Sequence, residues 1–368
     1  MREKPFALQI KSFFAQHKQM GSRDRKAIAS LCYAYFRVAK AVPNKTIEEK
    51  IAIGLFLTND TPNLYLAALN EELNAIVALP ITDKLERLKI AVAQFFPFTS
   101  LLGKQINADA FARSFLKQPS LFLRARPGKT AAVTAALTAK NISYSISKQC
   151  VELSNATALL NVEGLNANFV VQDKSSQHVL DYLINYKNNE RPRVWDCCAA
   201  SGGKSILAYD QLQGNVDLTL TDLRENIINT ATKRMKEAAV PLTLAAVADL
   251  TSDTLPRHFE NFDIIICDVP CTGSGTWART PEQLYFFSKK TLNAYTSRQK
   301  QIALTAIKKL KAGGIFFYIT CSVFEAENEA IINFIVSETA AVVLQQTYIL
   351  GYENKSDSLF VTVLTFAT

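Results

Sequence analysis

Phe262-Asp263-Ile264-Ile265-Ile266-Cys267 runs directly into Asp268-Val269-Pro270-Cys271-Thr272-Gly273-Ser274-Gly275-Thr276. The first six residues predict a buried parallel strand. Pro270 cannot donate to a ladder, so the strand stops and a loop begins. Gly273 and Gly275 then allow a tight turn or a close approach to a ligand. The strand therefore delivers a carboxylate and a thiol to the carboxyl edge of a sheet, where open α/β folds bind ligands. An acid at a strand end also serves as a helix cap, and a single Cys as a small buried hydrophobe. The rest of the chain decides between these readings.

On both sides of this stretch strands and helices alternate. Val194-Trp195-Asp196-Cys197-Cys198 predicts a strand, residues 199–204 a loop and residues 205–213 a helix. Residues 216–221 predict a second strand ending in Asp222, 225–238 a helix, and 242–247 a third strand ending near Asp249. Beyond the Ile264 strand, the pattern gives a helix over 292–310, a strand over 314–319, a helix near 327–336 and a strand over 359–366. Such alternation predicts an α/β parallel sheet covered on both faces.

Residues 1–97 carry no strand alternation and predict a helical bundle. Ile28, Leu31, Cys32, Tyr35 and Val38 share one helix face, and Thr46-Ile47-Glu48-Glu49 is a capping box. Asn63 restarts the chain after a break, and Thr82-Asp83 caps a helix through Leu85, Leu88, Val92 and Phe95. Residues 98–183 predict a small α+β unit: strands at 121–125, 144–146, 157–160 and 168–171, and a helix over 130–140. Arg124 and Arg126 beside its first strand could offer a basic face to RNA. The division expected is thus 1–97, 98–183 and 184–368.

Charge is uneven along the 368 residues. Residues 1–150 hold 22 Lys+Arg against 10 Asp+Glu, a balance of +12; residues 151–368 hold 19 against 23, a balance of −4. A basic amino-terminal part suggests a grip on a polyanion, nucleic acid first among them. No run of about 18 apolar residues suggests a membrane span, and Met1-Arg2-Glu3-Lys4-Pro5 does not open a secretory leader. Seven cysteines without CxxC pairing fit free thiols in a cytoplasmic protein better than a disulfide framework or a zinc site. His17, His178 and His258 form no evident ligand set.

Two constellations bear chemistry. Gly202-Gly203 sits in a strand-to-helix loop, where backbone amides can approach a cofactor. The loop matches neither the dinucleotide nor the nucleotide-triphosphate fingerprint. Asp222, 18 residues past Lys204, can accept hydrogen bonds from both ribose hydroxyls of an adenosine-containing cofactor, and Asp249 can reach the adenine side. The second constellation is Tyr318-Ile319-Thr320-Cys321-Ser322, followed by Glu325-Ala326-Glu327-Asn328-Glu329. Cys321 ends the strand next to that of Cys271, so both thiols should share one crevice. A Lys such as Lys204 could activate a thiolate there.

Residues 194–204, 268–276 and 320–329 resemble, in order, the signature motifs of the Sun/nucleolar-protein family of RNA (cytosine-5)-methyltransferases. Residues 169–177 resemble that family's entry into its catalytic domain, and Gly21-Ser22-Arg23-Asp24-Arg25 with its helix resembles the NusB-like domain of the RsmB branch. Nearly the whole chain is covered. The resemblance implies a Rossmann-like class I methyltransferase domain, with a mostly parallel seven-stranded sheet, preceded by an all-α NusB-like domain and a small α+β domain.

It also implies S-adenosylmethionine as the methyl donor. Cys198, Ala199, Ala200, Ser201, Gly202, Gly203 and Lys204 would hold its methionine part, Asp222 the ribose and Asp249 the adenine region, with Asp268 at the edge shared by cofactor and base. Cys321 matches the nucleophile that attacks carbon 6 of a cytosine, and Cys271 the thiol that assists product release. Asp268 would hydrogen-bond the base at N3 and Lys204 would orient Asp268. Ser201, Thr272 and Ala278 depart from the usual Pro, Ser and Arg, and none removes a catalytic group. The expected protein is a monomeric, metal-free, cytoplasmic enzyme acting on RNA, 16S rRNA foremost. A tRNA cytosine-5 methyltransferase and a non-catalytic RNA-binding assembly protein are the competing readings.

Overall fold

The computed structural model describes residues 6–159, 162–186, 191–252, 255, 259 and 261–366. Leu160, His258 and the Met1–Pro5 start lie outside the described residues. The chain divides into two compact units. One comprises residues 1–100, 107–118 and 277–287; the other comprises 101–106, 119–276 and 288–368.

The first unit is helical. Its helices are Phe6–Gln16, Ser22–Val38, Ile47–Thr58, Leu64–Leu69, Glu71–Ala75, Ile81–Leu88, Ala108–Ser114 and Pro281–Phe286. Thr46 and Glu49 form the expected reciprocal cap, and Asn63 accepts from the Leu66 amide. The cap expected at Thr82-Asp83 is instead Pro80, and the helix stops at Leu88 rather than near Phe95. Lys89 turns left-handed (φ 54°) and the Ile90 amide reaches back to the Leu85 carbonyl, which tucks Ile90 into the core. That core includes Val38, Phe56, Leu66, Val77 and Leu116. Arg37, 4 % exposed, donates to the Phe115 carbonyl, to Gln118 at 3.2 Å and to the Ala278 carbonyl at 3.1 Å. It thereby fixes residues 277–287 beside Phe96, whose ring stands 6.2 Å from Trp277.

The second unit holds two sheets. β1 (Leu121–Ala125), β2 (Tyr144–Ser147), β3 (Cys150–Leu153) and β4 (Phe169–Val171) form an antiparallel sheet ordered β2-β3-β1-β4. The strand expected at 157–160 is absent over Thr157–Leu159; its place in the sheet is taken by Cys150–Leu153. Arg124 and Arg126 do not face outward. Their side chains are 3 % and 11 % exposed and both grip Asp210, itself 4 % exposed, at 2.5 and 2.8 Å. A strand that must bury two guanidiniums against one carboxylate cannot also present them to RNA.

The larger sheet contains β5 (Arg193–Asp196), β6 (Asp217–Asp222), β7 (Leu244–Val247), β8 (Phe262–Asp268), β9 (Leu310–Thr320), β10 (Ala341–Ile349) and β11 (Leu359–Phe366). Their order is β10-β11-β9-β8-β5-β6-β7, with the pairs from β9 to β7 parallel and β11 antiparallel to both neighbours. This is the expected mostly parallel seven-stranded sheet. Ile264, Ile265, Ile266 and Cys267 of β8 are fully buried, as a central strand covered on both faces requires. Chain order reverses at β5 and β8, so their carboxyl ends border the crevice where such sheets bind ligands. No helix among the described residues is long and apolar enough to cross a membrane, and no group of His, Cys, Asp or Glu there has the makings of a metal site.

Candidate active site

β5 ends at Asp196 and the chain turns through residues 197–202 into the helix Gly203–Gln211. The turn is tight: Ala200 (φ 45°) and Gly202 (φ 78°) are both left-handed, and the Gly202 amide bonds the Ala199 carbonyl at 2.8 Å. A Cβ on Gly202 would meet only the movable end of Met235, Cε at 2.4 Å, so it is the left-handed dihedral that calls for glycine here. Arg234 braces the loop from outside, donating to the Ser201 carbonyl at 3.2 Å and to its hydroxyl at 2.9 Å. Ser201, the residue standing in place of the usual Pro, thus gains a partner that proline could not offer through its side chain.

Asp222, at the end of β6, accepts from the Ala200 amide at 3.1 Å. Arg224 also holds it in a fork, at 2.9 Å on one oxygen and 3.1 Å on the other. Asp249 accepts from the Thr251 amide (2.9 Å) and hydroxyl (2.6 Å), a local turn in which those bonds hold its carboxyl below the usual range.

At the ends of β8 and β9 the second group assembles. Lys204 Nζ lies 2.5 Å from Asp268 Oδ2. Burial works to lower the Lys204 pKa, but Asp268, with Cys321 and Asp196 nearby, holds it above the ordinary value. Cys271 and Cys321 are free thiols with their sulfurs 3.3 Å apart. The hydrogen bond with Cys321, then burial, then the charges of Cys321 and Glu327 push Cys271 well above the usual thiol range. Neighbouring parallel strands do bring both thiols to one edge, as the alternation implies.

A cavity of about 310 Å³ opens beside them. Its lining includes Cys198, Ala199, Ala200, Ser201, Gly203, Lys204, Asp268 and Cys321. Gly202, Asp222, Asp249 and Cys271 lie off that lining. Two lining residues passed over in the sequence are Arg234 and Asp196. In the sequence Asp196 falls inside the expected strand 194–198; the structure ends β5 at Asp196 and so gives it the strand-end place that marks Asp222. Asp196 is 1 % exposed; Oδ2 takes the Ser205 hydroxyl at 2.5 Å, while Oδ1 is buried without a hydrogen-bond partner. Burial, with the nearby Asp268 charge adding to it and Ser205 opposing it, pushes Asp196 up to about 7.

That shift makes stability depend on pH. Between an unfolded value near 4 and the folded value of about 7, the folded chain keeps a proton that the unfolded chain has lost. Stability from this group is therefore full below pH 4 and lost as pH rises through 7. Asp196→Asn should remove on the order of 4 kcal/mol of this pH dependence. Urea unfolding at pH 4 and pH 8, without added ligand, measures it; wild type and variant losing equal stability across that interval would refute the assignment.

Residues 181–362 match the family model described as 16S rRNA methyltransferase RsmB/F. The ribosomal RNA small subunit methyltransferase B of Yersinia pseudotuberculosis is 28% identical over 190 residues, covering 50% of this chain and 42% of that protein; that of Yersinia pestis matches equally. The chain thus spans less than half the length of the curated relatives it matches. Among solved structures, that of PH0851 superposes with a TM-score of 0.73 at 16% identity, covering 96% of this chain and 93% of the other. That of NSun6 from Pyrococcus horikoshii with SFG gives 0.64 at 14%, covering 74% and 97%. These likenesses extend the fold beyond the matched half.

Proposed function

Since residues 181–362 belong to the RsmB/F methyltransferase family, we propose that this chain transfers a methyl group from S-adenosylmethionine to carbon 5 of a cytosine in RNA, small-subunit rRNA foremost. The observation that carries this reading is the pair of thiols 3.3 Å apart, with Cys321, Lys204 and Asp268 together on the lining of one cavity. An aromatic carbon without an activating group needs covalent help before it accepts a methyl group. Cys321 sulfur forms a bond to carbon 6, and the ring electrons displaced move toward carbon 5. Asp268 bonds the base edge through a proton that it passes toward N3 as negative charge develops there, and the Lys204 ammonium, 2.5 Å away, holds the carboxylate left behind. After transfer, water takes the carbon 5 proton, the carbon 6–sulfur bond breaks with its electron pair returning to the Cys321 sulfur, and Cys271 assists release.

S-adenosylmethionine, when bound, supplies an electrophilic methyl group. The residues present fit it. Asp196 lines the cavity and its Oδ1 is buried without a partner, so an ammonium group beside it would be matched by a carboxylate. Cys198 to Lys204 would hold the methionine part and Asp249 the adenine side. Asp222 would take the ribose, with the 59 % exposed Arg224 side chain yielding or sharing its hold. The basic segments 1–97 and 98–183 are proposed to grip RNA, and the base must be unpaired or flipped out to reach the thiols.

Incubation with labelled S-adenosylmethionine and, separately, small-subunit rRNA or tRNA, followed by nucleoside digestion, tests this. The label should appear in 5-methylcytosine, with rRNA the better substrate. Label in any other nucleoside would overturn the reaction, and a preference for tRNA would overturn the substrate.

A further inference from the structure

Glu327 ends the short turn Glu325–Glu327 and is fully buried. Its Oε1 accepts from the Thr272 amide at 2.8 Å and Gln299 Nε2 at 3.0 Å; its Oε2 accepts from the Thr272 and Ser322 hydroxyls, each at 2.5 Å. All four donors are neutral. Thr272 and Ser322 are the residues that directly follow the two thiols. One carboxylate therefore bridges the two loops at the position next to each sulfur.

Further bonds complete the seam. Ser274 and Ser322 hydroxyls lie 2.9 Å apart, the Val323 amide donates to Ser274 Oγ at 2.9 Å, and the Gly275 amide donates to the Cys321 carbonyl at 2.9 Å. Burial pushes Glu327 above the usual carboxylate range, while its donors oppose that. A buried carboxylate with two donors on each oxygen is satisfied as an anion; a proton would compete with a donor already in place. The charges around the sulfurs are then unequal. Among the described residues, Cys271 faces Cys321, Glu327 and Tyr318, and Lys204 stands near Cys321.

We propose that Glu327 is a positioning residue of the thiol pair: it locks the two loops in register and sets a buried carboxylate beside Cys271, which disfavours a second negative charge on that sulfur and leaves Cys321 as the one that attacks. Cys271 keeps its own proton, and Cys321, which lines the cavity, gives its proton to solvent before it attacks, so the proton of each thiol is accounted for. This deepens the thiol roles given above, yet its test needs neither RNA nor cofactor, so the two can fail separately.

The full chain is alkylated with iodoacetamide at fixed pH near 8, and modification of each Cys is followed by mass spectrometry. Glu327→Gln should speed Cys271 alkylation about tenfold, because it removes the buried charge that disfavours the thiolate. Glu327→Asp, which keeps the charge, should restore a rate near wild type. An unchanged Cys271 rate in a Glu327→Gln protein with wild-type circular dichroism and melting overturns the proposal, as does an equal rise in Glu327→Asp. Should Glu327→Gln not fold, Gln299→Leu decides: it removes a neutral donor but no charge, so Cys271 must react no faster than in wild type. Faster reaction there also overturns the proposal.

Discussion

Cys321→Ala is expected to reduce methyl transfer by at least about a thousandfold, while Cys271→Ala accumulates a covalent protein–RNA adduct. The asymmetry follows from the two proposed roles, although the sulfurs are only 3.3 Å apart. Removing the nucleophile removes the route that makes carbon 5 reactive, and a thousandfold loss corresponds to about 4 kcal/mol of barrier. Removing the release group leaves attack and transfer possible but blocks departure, so the Cys321–RNA bond persists. Denaturing gel electrophoresis of each variant with RNA and labelled S-adenosylmethionine reads both outcomes. An adduct in Cys321→Ala, or none in Cys271→Ala with transfer lost, would reverse the assignment.

Gly275→Ala should be nearly as damaging without touching a reactive group. A Cβ at this position would stand 2.0 Å from the Ser358 carbonyl oxygen and 3.1 Å from that of Cys321. Both are backbone atoms, and the Gly275 amide and carbonyl are themselves bonded to Cys321 and Ser358 at 2.9 Å. The loop cannot move away without breaking one of those bonds. Overpacking of this kind costs about 1–3 kcal/mol of stability. A thiol displaced by about 1 Å loses on the order of a hundredfold in rate. Thermal melting and turnover, measured together, test this; a variant with wild-type values of both would show that the loop has room.

Much of this was legible in residues. The all-buried run Ile264–Cys267 and the alternation around it specified the central sheet, because a strand covered on both faces must be apolar throughout. Pro270 and the glycines marked where β8 stops and the site begins. Side-chain partnership was not legible. Arg124 and Arg126 look like an RNA-facing pair in sequence, and only the fold supplies Asp210, more than 80 positions away, that buries them. Asp196 reads like a strand residue until the fold puts it on the cavity lining with one oxygen buried and unpartnered. β10 was missed because Val342, Val343 and Leu344 remain exposed on an edge strand, where burial imposes no pattern. Local signals set the elements; partners distant in sequence set the chemistry.

The helical unit borrows residues 277–287 from far down the chain, with Arg37 and Ala278 joined across 241 positions. During synthesis, then, this unit cannot be finished when the helices within residues 1–118 are complete. At 5–20 residues per second it waits on the order of 10–30 seconds with Phe96 lacking Trp277 and Phe98 lacking Phe287. Chaperone demand should peak in that interval. The last loop past Gly275 is, in effect, the signal that closes the amino-terminal fold.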